Sequence, residues 1–232
     1  MVLLPTYNER ENIGSIVPEI FSLFPEIFIM VIDDQSPDGT AVAVRSLQKQ
    51  YPNLFLFERQ KKEGLGRAYA EAFQKVLNEF PDIETVVTMD ADGSHDPEDL
   101  PRLLSARSKA QVVVGSRYVH GGVIHGWEHA RQLLSRWGNR YARFVTGIPV
   151  KDVTSGFNCI SADVLKRLRF STLDPSGYAF TISTKYAIWK LGAKMKEIPI
   201  TFKNRRFGES KISLRIVGEG IILPWKLSLT GP

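Results

Sequence analysis

Across the first half of the chain, short apolar runs alternate with amphipathic stretches, and that alternation limits the folds open to it. Residues 2–4, 28–32, 54–57, 85–89 and 111–114 read as buried strands, and residues 12–20, 38–50, 66–79 and 97–107 as the helices between them. A strand followed by a helix and a further strand is a crossover unit, so the chain predicts an α/β fold with a mainly parallel sheet flanked by helices. In such sheets ligands bind beyond the carboxyl ends of the strands.

Three turn-rich or acidic clusters fall at those ends: Pro5-Thr6-Tyr7-Asn8-Glu9, Asp33-Asp34-Gln35-Ser36-Pro37-Asp38-Gly39, and Asp90-Ala91-Asp92-Gly93. Asp90 and Asp92 follow directly on an apolar run. Two carboxylates this close repel, and burying either one unpaired costs several kcal/mol. A hard divalent cation, Mg²⁺ or Mn²⁺, completed by phosphate oxygens and water, would neutralise both. A structural use of the aspartates in a turn is the competing reading. Asp33-Asp34 is a second acidic pair, from which a carboxylate could accept a base-ring N–H, while Asp38 with Ser36 could cap the following helix.

The second half is less regular. A long helix is expected over residues 127–145, a strand near 156–160, a helix near 179–191 and a strand near 196–202. With no repeat, low-complexity segment or linker composition, residues 1–232 are expected to form one catalytic domain. Residues 212–228 carry apolar side chains at roughly helical spacing, interrupted by Pro224. This C-terminal amphipathic segment reads equally as a membrane-surface helix or a packed terminal helix.

Charge is unevenly divided. Residues 1–116 hold 11 Lys+Arg against 18 Asp+Glu, net −7, whereas residues 117–232 carry +12. A basic half suits an anionic partner, and Arg117, Arg131, Arg205, Arg206 and Lys211 supply donors for phosphate oxygens. No RNP signature or basic heptad region accompanies them, so nucleic acid is not the expected partner. Gly64-Leu65-Gly66 matches two glycines of the dinucleotide fingerprint and follows the third strand, which argues against dehydrogenase chemistry. His95, His120, His125 and His129 lack zinc-type spacing and are expected on surfaces or loops. Cys159, the single cysteine, reads as a small core hydrophobe and fits a reducing compartment. No signal sequence is evident, and no apolar run approaches the roughly 20 residues that span a bilayer.

Taken in order, the clusters together with Gly115-Ser116-Arg117-Tyr118, Ser155-Gly156-Phe157, Gly177-Tyr178-x-Phe180 and Phe207-Gly208-Glu209-Ser210-Lys211 cover nearly the whole chain. This pattern resembles the dolichol-phosphate (polyprenol-phosphate) mannose synthases, inverting family 2 glycosyltransferases of the GT-A, Rossmann-like type. The resemblance implies transfer of mannose from GDP-mannose to a polyprenyl (dolichyl) phosphate with a divalent cation. It implies that Pro5, Tyr7, Glu9, Val31 and Asp33 hold the nucleoside. It further places Asp90, Ala91 and Asp92 on the sugar diphosphate and metal, with Asp90, Asp92 and Arg117 in the catalytic role. Arg205 and Lys211 would lie on the donor phosphates, and Arg117, Arg131 and Ser135 on the acceptor phosphate.

The chain departs from the resembled pattern at Thr181 and Ser183, where that family has Gln and a carboxylate, at Gly93 and Ser94, and at Gln35, where Gly is commoner. The loss of the carboxylate agrees with an acceptor needing no base, because a phosphate monoester is already anionic. Alternative readings are transfer of glucose from UDP-glucose, transfer to a soluble hydroxyl, and a basic nucleic-acid-binding module. The expected location is the cytoplasmic face of a membrane, peripherally bound, and the identity of any membrane-anchoring partner is not written in the sequence.

Overall fold

The computed structural model describes residues 1–174, 177–205 and 214–231. Its elements run β1 (Val2–Thr6), α1 (Arg10–Leu23), β2 (Ile29–Asp33), α2 (Thr40–Gln48), β3 (Leu54–Glu58), α3 (Leu65–Glu79), β4 (Thr85–Thr88), α4 (Leu100–Ala106) and β5 (Val112–Ser116). There follow β6 (Val123–Ile124), α5 (His129–Thr146), β7 (Asn158–Ser161), α6 (Ala162–Arg167), α7 (Gly177–Lys190), β8 (Met195–Pro199), β9 (Thr201–Phe202) and α8 (Leu214–Thr230).

Seven strands form one sheet in the order β3-β2-β1-β4-β7-β5-β8, and β6 and β9 pair beside it. Every pairing in the large sheet is parallel except those of β7, which runs antiparallel between β4 and β5. β1 and β2 are apolar and buried on both faces, as central parallel strands must be. Their alternation divides the core. Leu3, Met30 and Ile32 pack with Ala68, Phe73 and Ile188 on one face, while Val2, Leu4, Ile29 and Val31 pack with Ile13, Ile16 and Val44 on the other.

The five strands expected in the first half all form. The stretch at 97–107 opens as a 3-10 turn over Pro97–Asp99 before α4 begins. The strand expected near 196–202 divides at Ile200, with β8 staying in the large sheet and β9 leaving for β6. Cys159 is fully buried, and burial pushes its thiol up to about 11, so it is a core hydrophobe.

At the C-terminus α8 packs by one face and leaves the other open. Leu223 and Leu227 are buried in the core, while Ile221, Ile222, Trp225 and Leu229 are exposed. Pro224 cannot donate to the preceding turn, and the Tyr141 hydroxyl of α5 donates to the Ile221 carbonyl there, at 2.8 Å. Among the described residues no helix is long and apolar enough to cross a membrane.

Candidate active site

The loops after β1 and β2 are folded against each other by side chains from the acidic cluster. Asp33 accepts from the Thr6 hydroxyl at 3.0 Å and from the Ser36 N–H at 3.0 Å, and Ser36 Oγ accepts from the Asn8 N–H at 2.9 Å. Asp38 accepts the N–H of Thr40, the first residue of α2, and that of Arg10, both at 3.0 Å. Asn8 and Gln35 hold positive φ, 61° and 55°, which explains why glycine suits the position of Gln35. Asp34 pairs with the buried Arg59, which also grips Glu71.

These loops form one wall of a cavity of about 320 Å³ lined by Pro5, Thr6, Tyr7, Glu9, Asp34, Lys62, Gly64 and Leu65, with Asp90, Ala91, Asp92, Thr181 and Arg205 across from them. α3 starts at this wall, so its unpaired N–H groups lie at the cavity, a favourable end for an anion. Of the residues expected on the nucleoside, Pro5, Tyr7 and Glu9 line this cavity. Val31 and Asp33 do not line the cavity. Val31 is wholly buried in the sheet core, and the Asp33 carboxylate is turned into its own loop; the neighbouring Asp34 lines the cavity instead. Lys62, not singled out from the sequence, sits 3.2 Å above the Tyr7 ring.

Past the end of β4, the acid pair faces a second cavity of about 320 Å³, which shares Asp90, Asp92, Thr154, Gly156 and Arg205 with the first. Asp92 pairs with Arg205 at 2.9 Å and accepts the Ser94 N–H at 3.0 Å. Burial, and the like charge of Asp92, push the Asp90 carboxyl up, against the pull of His95, Arg205 and Arg117. His95 is a correction to the surface reading: it is 2% exposed, packed against Phe157 and Phe202, and its Nδ1 accepts the Asp90 N–H at 3.1 Å. Burial pulls its pKa down, so the ring is neutral with its proton on Nε2. Gly156 leaves the room that Asp90 needs, since a Cβ there would lie 3.2 Å from Asp90 Oδ1.

The donor set fits a hard divalent cation. Asp90 and Asp92 offer carboxylate oxygens, and Ser94 lines the same cavity with a buried Oγ that has no hydrogen-bond partner among the described residues. No metal-binding group of three or more His, Cys, Asp or Glu is present among the described residues, so a cation here would be completed by ligand oxygens and water.

The second cavity is also lined by Arg117, Arg131, Trp127, Phe202, Lys203 and Asn204. Arg117 is fixed by Asp152, which accepts from Nε at 2.8 Å, from a terminal guanidinium nitrogen at 2.7 Å and from the Arg117 backbone N–H at 2.9 Å. Thr154 Oγ1 accepts from the same guanidinium at 2.8 Å and from Asn139 of α5 at 3.0 Å. Arg131 lies over the Trp127 ring at 4.1 Å. Ser135 stands a step back, its hydroxyl accepting from Tyr118 at 2.6 Å. Asp152, Thr154 and Trp127 carried no sequence signal of their own, and Tyr118 stood out only as part of Gly115-Ser116-Arg117-Tyr118. Ser183 bonds locally, to the Asp174 N–H and the Phe180 carbonyl. Lys211 and Arg206 lie outside the described residues.

A mainly parallel sheet interrupted by one antiparallel strand, with an acid pair at the end of β4, defines a GT-A glycosyltransferase. Residues 1–169 match glycosyl transferase family 2, and the chain belongs to that family. It is 38% identical over 222 residues to an undecaprenyl-phosphate mannosyltransferase of Micrococcus luteus, covering 96% of this chain and 90% of that one. It is 40% identical over 215 residues to a polyprenol monophosphomannose synthase of Mycolicibacterium smegmatis, covering 92% and 80%. Among solved structures, the glucosyl-3-phosphoglycerate synthase of Mycobacterium tuberculosis with Mn²⁺, UDP and phosphoglyceric acid shares the fold with TM-score 0.69 at 20% identity, over 99% of this chain and 78% of that one. The mannosyltransferase PcManGT of Pyrobaculum calidifontis, in complex with GDP-Man and Mn²⁺, matches with TM-score 0.64 at 16% identity, over 100% and 64%.

Proposed function

We propose that this glycosyltransferase moves mannose from GDP-mannose to a polyprenyl phosphate, releasing GDP and leaving a β-linked mannosyl phosphate. One observation carries the reading: two cavities meet at Asp90 and Asp92, one walled by the loops after β1 and β2, the other by Arg117 and Arg131. The names of the two relatives near 40% identity support the sugar and the acceptor.

In this reading Pro5, Tyr7 and Glu9 hold the nucleoside, with Asp34 and Lys62 on the same wall. Asp90, Asp92 and Ser94 would hold Mg²⁺ or Mn²⁺, which when bound supplies charge neutralisation for the diphosphate leaving group. Arg205, shared by both cavities, faces the same diphosphate. Arg117 and Arg131 receive the acceptor phosphate, and Ser135 acts through Tyr118. An anionic phosphate oxygen attacks the anomeric carbon as the bond from that carbon to the diphosphate breaks, inverting the configuration. No proton has to be removed from the acceptor, in keeping with Thr181 and Ser183 standing in α7 without a carboxylate. The protein's contribution is orientation and charge complementarity.

A lipid acceptor places the enzyme at a membrane surface. Leu133, Trp137 and Phe144 of α5 and Ile222, Trp225 and Leu229 of α8 are large, apolar and exposed on two helices that pack together. Peripheral binding on the cytoplasmic face is the arrangement we favour, where an anionic leaflet suits a basic surface.

The test is transfer of labelled sugar into organic-extractable lipid, from GDP-mannose or UDP-glucose, with and without polyprenyl phosphate and divalent metal. Label only from GDP-mannose, and only with acceptor and metal, is the expected result. Label from UDP-glucose alone overturns the donor; extraction of label into the aqueous phase overturns the acceptor.

A further inference from the structure

Helix α5 has three faces. Asn139, Ala142 and Thr146 are buried against the body of the protein, and Leu133, Trp137 and Phe144 are exposed. Arg136, Arg140 and Arg143, spaced four and three residues apart, share the flank between them. Arg131 lies on the opposite flank, toward the cavity of the acid pair. The three arginines, with Lys151, Tyr118 and Gly122, line a separate open cleft of about 430 Å³, to which Arg117 contributes a wall.

None of Arg136, Arg140, Arg143 and Lys151 is paired with a carboxylate among the described residues. Arg136 approaches the Tyr118 ring at 5.9 Å. The Glu197 carboxylate behind the cleft accepts the backbone N–H groups of Lys151 and Asp152, at 2.8 and 3.0 Å. Like charges on successive helical turns repel, so an unpaired row of this kind costs stability unless an anion covers it.

We infer that this cleft is a second anion site, separate from the acceptor subsite, and that its occupants are the phosphate headgroups of anionic bilayer phospholipids. The inference rests on the membrane-surface reading above. Two observations select bilayer lipid over a free phosphate. From Arg136 to Arg143 the row runs roughly 10 Å along the helix at 1.5 Å per residue, longer than one phosphate can bridge. It also stands beside the exposed apolar face, so burying Trp137 and Phe144 among acyl chains sets the guanidinium groups at headgroup height. The row thereby fixes the roll of α5 on the membrane and aims the mouth of the acceptor cavity.

The experiment is sedimentation of the full chain with vesicles of phosphatidylcholine alone or with added phosphatidylglycerol. It compares the wild type with the triple variant Arg136→Gln, Arg140→Gln, Arg143→Gln and with Arg140→Gln alone. Each basic residue at an anionic surface is worth about a fivefold change in partitioning, so the triple variant should lose roughly a hundredfold on phosphatidylglycerol vesicles and the single variant about fivefold. Both should keep the wild-type affinity for pure phosphatidylcholine and the wild-type thermal shift with GDP and Mn²⁺, which shows that fold and donor site are intact. An unchanged response of the triple variant to phosphatidylglycerol overturns the inference. Release of the wild type from vesicles by millimolar glycerol phosphate at constant ionic strength would reassign the cleft to a soluble phosphate. Wild-type protein that binds neither vesicle removes the membrane reading itself, and the inference with it.

Discussion

Asp152→Asn leaves the shape of the Arg117 clamp in place and takes away its charge. The aspartate is wholly buried and receives two guanidinium bonds and a backbone N–H from Arg117. Removing one partner of a buried pair costs about 3–5 kcal/mol, and the amide still offers one acceptor oxygen, so the lower end applies. At about 2–4 °C per kcal/mol in a chain of this length, the melting temperature should fall by about 6–12 °C. Burial alone would push the Asp152 carboxyl up, but Arg117 overrides it and holds the group below the usual carboxylate range. Its stabilisation is therefore fully present above the unfolded value of about 3.9 and lost as pH falls through the folded value. The gap between wild type and variant should be constant near neutrality and close in acid. In the transfer assay the KM for polyprenyl phosphate should rise more than that for the sugar nucleotide, because Arg117 lines the cavity proposed for the acceptor phosphate. A melting temperature within about 1 °C of wild type, together with an unchanged acceptor KM, would refute the clamp.

Other expectations follow from the same geometry. Asp92→Asn should abolish metal-dependent transfer while costing little stability, and a near-normal rate with metal present would contradict its role in holding the cation. Gly156→Ala brings a methyl group to 3.2 Å from Asp90 Oδ1; displacing that oxygen should weaken Mn²⁺ binding by about tenfold, as supporting residues do at metal sites, measurable by titration calorimetry in the presence of GDP. Lys185, buried in α7 with Nζ donating to the Ser155 carbonyl at 2.7 Å, has its pKa pulled down to about 7 by burial. Between pH 7 and the ordinary lysine value of about 10.4 the unfolded chain binds more protons, so stability rises with pH across that window. Lys185→Met should flatten the rise, and denaturant titrations of the two proteins at pH 7 and pH 9.5 that run parallel would count against it.

The first five strands were legible because each is a contiguous apolar run set between turn residues, and in β1, β2 and β5 burial on both faces leaves no polar alternation to blur it. The direction of β7 was not. Asn158–Ser161 reads the same whichever way the strand is laid, and its neighbours lie about 45 and 70 residues earlier in the chain. The acid pair and Pro5, Tyr7, Glu9, Arg117 and Arg205 came out on the cavities because they lie at or near strand ends that the fold gathers on one edge, while Arg131 reaches the same edge from the first turn of α5. Val31 sits two residues short of that edge, and the pleat turns it into the core. His95 and Asp152 were invisible as partners because what defines them, the Phe157 and Phe202 rings in one case and the Arg117 fork in the other, arrives from distant parts of the chain. Composition suggested the basic half, but only the turn of α5 separates Arg131 from the Arg136–Arg143 row.

The placement of β7 has a bearing on how the enzyme is made. β3, β2, β1 and β4 form one hydrogen-bonded group and β5 and β8 another, and among the described residues β7 is the strand that bonds to both. A chain still emerging from the ribosome, complete only to β5, therefore has β3, β2, β1 and β4 available to pair while β5 still lacks both of its partners. The loop that brings Gly156 against Asp90 arrives on the same segment that closes the gap. The segment that joins β4 to β5 thus also sets part of the wall of both cavities, before β8 and Arg205 are added further along the chain.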